Sequence, residues 1–232
     1  MSRDPAVQTV LLFGATGSAG GAVLDACLAD AGVAEVRVLA RRPLERHDAK
    51  LRVTMHQDFA DYRAVGDTFT GVDACLFCLG LSVRQVSGES QYRGITKDFA
   101  LAAARMLIAR SPDASFEYLS GQGASATSRM MWARVKAEAE QALRDTAGAN
   151  AWRPGFIDGA TSASAPALYQ WVRPAFRLLL ASSRTLYVRG DDIGRAMLLA
   201  SRRSLRGQTF ENRDIRVLAD EYRREPGGHR RP

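Results

Sequence analysis

The order of local patterns along this 232-residue chain predicts an α/β domain on a doubly wound parallel sheet. Three observations carry that expectation. Apolar strand patterns alternate with helical ones through the first two thirds of the sequence. A glycine-rich turn, Gly14-Ala-Thr-Gly17-Ser-Ala-Gly20, joins the first strand pattern to the first helical one. The composition, 46% hydrophobic and 25% charged, is that of an ordinary globular domain.

The elements follow in order. Val7–Phe13 is a short apolar run that stops at Gly14, which predicts a strand. From Ser18 to Ala31 the apolar residues 23, 24, 27, 28 and 31 keep helical spacing. Strands are expected over Glu35–Ala40 and, more weakly, Arg52–His56, with a short helix over Asp61–Phe69. Ala74–Leu79 is wholly apolar, the pattern of a strand buried on both faces. A helix over Thr96–Arg110 ends at Ser111-Pro112. A strand over Ser115–Leu119 and a helix over Arg129–Thr146 follow, and Ala151–Trp152 closes a sixth strand. Parallel strands joined by helices cross over right-handed.

After Gly155 the alternation breaks. Residues 158–166 are a small-residue loop. Leu168–Leu180 is apolar and aromatic, with Pro174 inside it, and its Trp171–Leu180 part is expected to be a lid or core. Asp191–Ser201 reads as a helix whose acidic start suits the positive end of the helix dipole. Thr209–Leu218 is expected to give a last strand. The whole is one domain over 1–222. Residues 158–190 and 203–222 are expected to form a small C-terminal lobe on the substrate side, and 223–232 a disordered basic tail.

The net charge is +7, from 32 basic and 25 acidic residues. The segment from Tyr222 onward holds four arginines against one glutamate, so nearly half of that excess sits at the end of the chain. The rest is spread without a basic stripe or a recognisable module, which argues against nucleic acid as partner. No apolar run reaches the roughly 18 residues of a membrane span. No charged-then-apolar leader opens the sequence. Three cysteines, Cys27, Cys75 and Cys78, lie in apolar contexts and read as reduced core thiols of a cytoplasmic protein. Cys75 and Cys78 would point to opposite faces of one strand, and the three histidines are scattered, so no metal site is expected.

The glycine turn carries the chemistry. Its glycines permit a tight turn, a close backbone approach to a pyrophosphate, and close packing of helix on sheet; the pyrophosphate then meets free N–H groups at the helix start. The strand before and helix after supply the context a dinucleotide fingerprint requires. No Gly-Lys-Ser/Thr follows, which excludes a Walker-type loop. About twenty residues beyond Gly20, where an acid would hold the ribose hydroxyls of NAD, the sequence reads Ala40-Arg41-Arg42-Pro43. Arginine suits a 2′-phosphate. NADP(H) is therefore the expected cofactor, with NAD(H) second.

With these residues the sequence resembles the short-chain dehydrogenase/reductase superfamily. Within it, the resemblance is to the atypical NAD(P)-binding branch that includes the HIV Tat-interacting-protein-like oxidoreductases. It runs from about Thr9 to Gly159. It rests on Gly14, Gly17 and Gly20, Arg41 and Arg42, Asp58-Phe59, Cys78-Leu79-Gly80, Leu119-Ser120, Lys136 and Arg153-Pro154-Gly155. The resemblance implies that the turn residues Thr16, Ser18 and Ala19 join the glycines around the pyrophosphate. Asp58 and Phe59 would border the adenine, and Leu79 and Gly80 would pass beneath the cofactor. Ser120 would face a substrate carbonyl, Lys136 would hold the nicotinamide ribose, and Pro154, Gly155, Phe156 and Ile157 would line the nicotinamide.

One position departs from the pattern. The family pairs a catalytic tyrosine with a lysine four residues on; here the stretch is Trp132-Ala-Arg-Val-Lys136. That spacing puts both side chains on one helical face. An indole N–H donates a hydrogen bond but has no usable acidity. Two functions follow as expectations. One is an NADP(H)-dependent oxidoreductase on a small carbonyl-type substrate, its proton coming from water, a Ser120 relay or another tyrosine. The other is a catalytically silent NADP(H)-binding sensor or scaffold acting through a protein partner. A homodimer is compatible with either.

Overall fold

A computed structural model of the chain describes residues 7–158 and 187–225. Strand β1 (Gln8–Phe13) enters helix α1 (Ser18–Ala29) through the glycine turn, and β2 (Val33–Ala40) and β3 (Leu51–Met55) follow. A 3₁₀ segment, Arg63–Phe69, precedes β4 (Ala74–Phe77). Next come α2 (Glu89–Arg93), a π turn over Gly94–Asp98, α3 (Phe99–Arg110) and β5 (Ser115–Leu119). Helix α4 (Met131–Ala147), β6 (Asn150–Arg153) and β7 (Phe156–Asp158) complete the first described stretch. The second holds β8 (Tyr187–Arg189), α5 (Gly190–Arg202), β9 (Thr209–Glu211) and α6 (Asn212–Arg224).

Seven strands pair in parallel in the order β3-β2-β1-β4-β5-β6-β9, the doubly wound sheet that the alternation predicts. Strands β7 and β8 form a separate parallel pair. The winding direction reverses between β1 and β4. In open sheets of this kind a crevice forms at the carboxyl ends of the two strands on either side of the reversal.

Both faces of the sheet are covered, which explains why β1 and β4 are continuously apolar. Val10, Leu12, Leu76 and Trp152 face α1, α5 and α6. Leu11, Phe13, Phe77 and Tyr118 face α3, α4 and the Phe59–Phe69 segment. On the first side α1 and α5 approach closely: a Cβ on Gly194 would lie 2.7 Å from the Ala26 Cβ. On the second side Phe13 packs edge-on against Tyr62, ring centroids 5.6 Å apart. Such aromatic pairs add about 1 kcal/mol each beyond burial. Cys75 and Cys78 fall in opposite core layers, as their spacing on a strand requires, and all three thiols are buried and unbridged. Burial pushes the Cys78 thiol up to about 12.

Four expectations are corrected. The helix expected from Thr96 is entered earlier, from Glu89, through the π turn that widens the backbone at Gly94. The last strand ends at Glu211, because from Asn212 the apolar residues Ile215, Leu218, Ala219 and Tyr222 repeat with helical period, and a Glu211–Asp214 capping box starts the helix. Residues 203–222 are therefore no lobe: β9 extends the main sheet and α6 packs on α5. The same helix takes in Arg223 and Arg224 from the expected tail, and Arg223 pairs with Asp192. The lid expected over Trp171–Leu180, the rest of the segment 159–186, and the tail from 226 lie outside the described residues. Among the described residues no helix is long and apolar enough to cross a membrane.

Candidate functional site

The crevice at the reversal is built first by Gly14. Its φ is +79°, and a Cβ there would sit 2.5 Å from the Cys78 carbonyl oxygen, so the β1 turn lies against the end of β4. A Cβ on Gly20 would overlap the Gly14 carbonyl oxygen, so the first turn of α1 packs on the same loop. Gly17 is the N-cap and supplies no side-chain cap, and the first turn of α1 carries no acid. The opening N–H groups of α1 thus keep their donor capacity and the positive end of the dipole is uncompensated. Thr16 is exposed, and Ser18 and Ala19 are half-buried beside it.

Next to this turn lies a cavity of about 330 Å³, lined by Arg41, Gln57, Phe59, Leu79 and Leu81 and, from the α2–α3 segment, by Gln91, Gly94, Ile95 and Phe99. The π turn brings Gly94 and Ile95 to its wall. Arg41 and Arg42 are both exposed at the end of β2, and the Gln57 amide donates to the Arg41 carbonyl at 2.9 Å. Gln57 is a wall residue that the sequence reading missed. Asp58 is not part of the wall: its carboxylate accepts the Ala60 N–H at 3.0 Å, closing a turn that buries Phe59. At Gly80 an added Cβ would meet nothing within 4 Å, so no protein neighbour there requires glycine.

The other end of the crevice is formed by the ends of β5 and β6 and by α4. The segment after β5 is zipped to the end of β6, with the Ser120 N–H donating to the Trp152 carbonyl at 2.7 Å and that of Gln122 to Pro154 at 3.0 Å. The Lys136 ammonium donates to the Ser120 carbonyl at 2.8 Å and, more weakly, to Leu119 at 3.4 Å. Its stem runs beside Gly121. Burial pushes the Lys136 amine down to about 8, an effect that nearby Glu140 partly offsets. One helical turn before Lys136, the half-buried Trp132 lays its indole against Gly123, whose φ is +88°.

Ser120, at the end of β5, is 6% exposed, and its hydroxyl donates to Glu140 on α4, a residue the sequence reading missed. Glu140 is also held by Arg153, Nη2 to Oε2 at 2.6 Å and Nε to Oε1 at 3.0 Å. Beyond Arg153, Pro154 is buried and the Gly155 N–H donates to the Asn212 side chain at 2.9 Å. Asn212 in turn donates to the Tyr187 carbonyl at 2.8 Å, which ties the β7–β8 pair to α6. Phe156 stacks on Tyr187, and Ile157 packs on the first core layer. Among the described residues no group of three His, Cys, Asp or Glu side chains could hold a metal ion.

No family model matches the chain. Protein HTATIP2 of Rattus norvegicus is 24% identical over 155 residues, 65% of this chain, and the chain spans 63% of that relative's length. An oxidoreductase of the short-chain dehydrogenase/reductase family from Burkholderia thailandensis superposes with a TM-score of 0.67 at 19% identity, over 94% of this chain and 98% of that one. The enzyme WbmF of Bordetella bronchiseptica, solved in complex with NAD+, superposes with a TM-score of 0.66 at 11% identity, over 95% and 79%. The chain thus has a Rossmann-type α/β fold, shared with these solved structures, and its sequence is similar to that of HTATIP2.

Proposed function

We propose that the chain binds NADP(H) in the crevice at the strand reversal and acts as an oxidoreductase on a small carbonyl-type substrate. The observation that carries this reading is the uncapped start of α1, held against β4 by Gly14 and bordered by the apolar cavity. That arrangement fits a dinucleotide. Free N–H groups suit a pyrophosphate, a flat apolar slot suits an adenine, and the open space over Gly80 suits a ribose. Gly14, Thr16, Gly17, Ser18, Ala19 and Gly20 would hold the pyrophosphate, and Arg41 and Arg42 the 2′-phosphate. Phe59 and Leu79 would border the adenine, with Gln57 in the place first given to Asp58. Lys136 would donate to the nicotinamide ribose, and Pro154, Gly155, Phe156 and Ile157 would close the nicotinamide end.

A bound dihydronicotinamide would supply the hydride. The protein side of the reaction is then a matter of orientation and proton supply. Trp132 can orient a substrate oxygen with its indole N–H but cannot protonate it. A second reading, binding without turnover, is favoured by one observation. Among the described residues, Tyr62, Tyr92, Tyr118 and Tyr222 are buried and the Ser120 hydroxyl donates to Glu140, so none of these offers a proton at the crevice, and the half-buried Tyr187, stacked on Phe156, is the phenol left at that end.

The test is titration of the purified protein with NADPH and, separately, NADH, read by melting temperature and by tryptophan fluorescence. Ligand saturating at a hundred times its Kd stabilises the folded state by about 2.7 kcal/mol. Tighter NADPH binding that is lost in Arg41→Ala/Arg42→Ala supports the reading. No shift with either nucleotide at millimolar concentration ends it.

A further inference from the structure

Glu140 is an acid four residues after Lys136, yet its carboxylate meets neither solvent nor that lysine in a surface pair. It is buried, and the ends of two strands converge on it. Ser120, at the end of β5, donates its hydroxyl. Arg153, at the end of β6, donates from Nε and Nη2. Glu140 itself rides on α4, the helix that carries Trp132 and Lys136. Arg153 also reaches Glu211 at 3.0 Å, at the end of β9. The neighbouring Asn212 accepts the Gly155 N–H.

The structure assigns Glu140 as the positioning residue for the nicotinamide end of the crevice. It would set Lys136, the Ser120–Gln122 loop and the Pro154-Gly155 turn at fixed separation. This assignment rests on the cofactor reading above. Ser120 is then a tie within the frame and not a proton relay. A carboxylate fits this role physically. It can accept from a guanidinium and a hydroxyl at once, and charge-assisted bonds in a buried setting hold direction tightly. None of these residues touches the cavity at Arg41 and Phe59. The adenine half should therefore be indifferent to the tie.

That difference makes the test. Wild type, Glu140→Gln and Ser120→Ala are titrated with NADPH, which would span both halves, and with adenosine 2′,5′-bisphosphate, which fills only the adenine half. Glu140→Gln places an amide N–H₂ against Arg153 and loses the charge. It should weaken NADPH roughly tenfold, the worth of one charge-assisted hydrogen bond. Adenosine 2′,5′-bisphosphate should bind as to wild type. Ser120→Ala, which keeps the ion pair, should show the same split more weakly and carries the test if the Gln variant does not fold. The emission of saturating bound NADPH should also shift in the variants, because it reports the nicotinamide surroundings. Equal loss of both ligands means a merely structural tie and overturns the assignment, as does NADPH affinity and emission unchanged from wild type. Binding of neither ligand to the wild type is the distinct result that overturns the cofactor reading itself.

Discussion

Two glycines at the same crevice should respond in opposite ways to one added methyl group. Gly14 sits at φ +79°, where an alanine costs about 1–2 kcal/mol. The methyl would also lie 2.5 Å from the Cys78 carbonyl oxygen and 2.8 Å from the Leu79 nitrogen, both backbone atoms of β4's end that cannot swing away. Separating them strains the packed sheet, which typically costs another 1–3 kcal/mol or about that. Gly14→Ala should therefore lose roughly 3 kcal/mol, which for a domain of this size is a drop in Tm of about 10 °C. At Gly80 the same methyl meets nothing within 4 Å. Gly80→Ala should leave stability unchanged or raise it by up to about 1 kcal/mol, through a less flexible unfolded chain. It should nonetheless weaken NADPH about tenfold, because the methyl occupies the space assigned to the cofactor. Urea unfolding and nucleotide titration on both variants decide the matter. If Gly14→Ala melts with wild type, the close-approach argument is wrong. If Gly80→Ala binds NADPH unimpaired, the cofactor does not pass there.

Other perturbations test separate parts of the molecule. Glu117 is fully buried in β5, bonded by the Trp152 indole N–H at 2.7 Å and the Asn150 amide at 3.1 Å, and burial raises its carboxyl to about 7. A folded-state value above the unfolded one gives stability that is present below about 4.5 and lost as pH rises through about 7, so Glu117→Gln should gain on wild type by about 3 kcal/mol between those limits. A difference between the two proteins that stays flat with pH would refute this. Lys136 runs the other way: its amine, lowered to about 8, loses its charge as pH rises through that value, so NADPH affinity should fall above pH 8 in wild type and be pH-insensitive there in Lys136→Met. Trp132→Tyr restores an acidic phenol four residues from Lys136 and should raise NADPH-dependent reduction of an aldehyde or quinone panel by about 10²-fold or more. An equally inactive variant that binds NADPH normally would favour the silent-binder reading. Away from the site, Asp30 is 1% exposed and accepts Arg202 at 2.6 Å, so Arg202→Ala should cost about 3 kcal/mol in urea unfolding by leaving a buried carboxylate short of its cation.

What the sequence determined by itself is what short-range chemistry encodes. The continuous apolar runs at β1 and β4 required strands covered on both faces. The spacing of Gly14, Gly17 and Gly20 required a turn pressed between strand and helix, and both methyl clashes there are backbone contacts within one βα unit or with its immediate neighbour. The Trp132–Lys136 spacing required one helical face. The final helix after Glu211 reads in the sequence as part of a strand, although Ile215, Leu218 and Tyr222 keep helical spacing. Only the tertiary structure decided the rest. Glu117 looks like a solvent-facing residue in Ser-Phe-Glu-Tyr-Leu, because alternation cannot reveal that α5 covers its side of the sheet. Asp58 and Gln57 are adjacent in sequence, and which of them faces the cavity depends on a turn closed by one hydrogen bond. Glu140 reads as the partner of the lysine one turn before it. Its actual partners lie 20 residues back, at Ser120, and 13 residues on, at Arg153. They meet only because β5, α4 and β6 are packed side by side, and such a buried tie leaves no periodic signal along the chain.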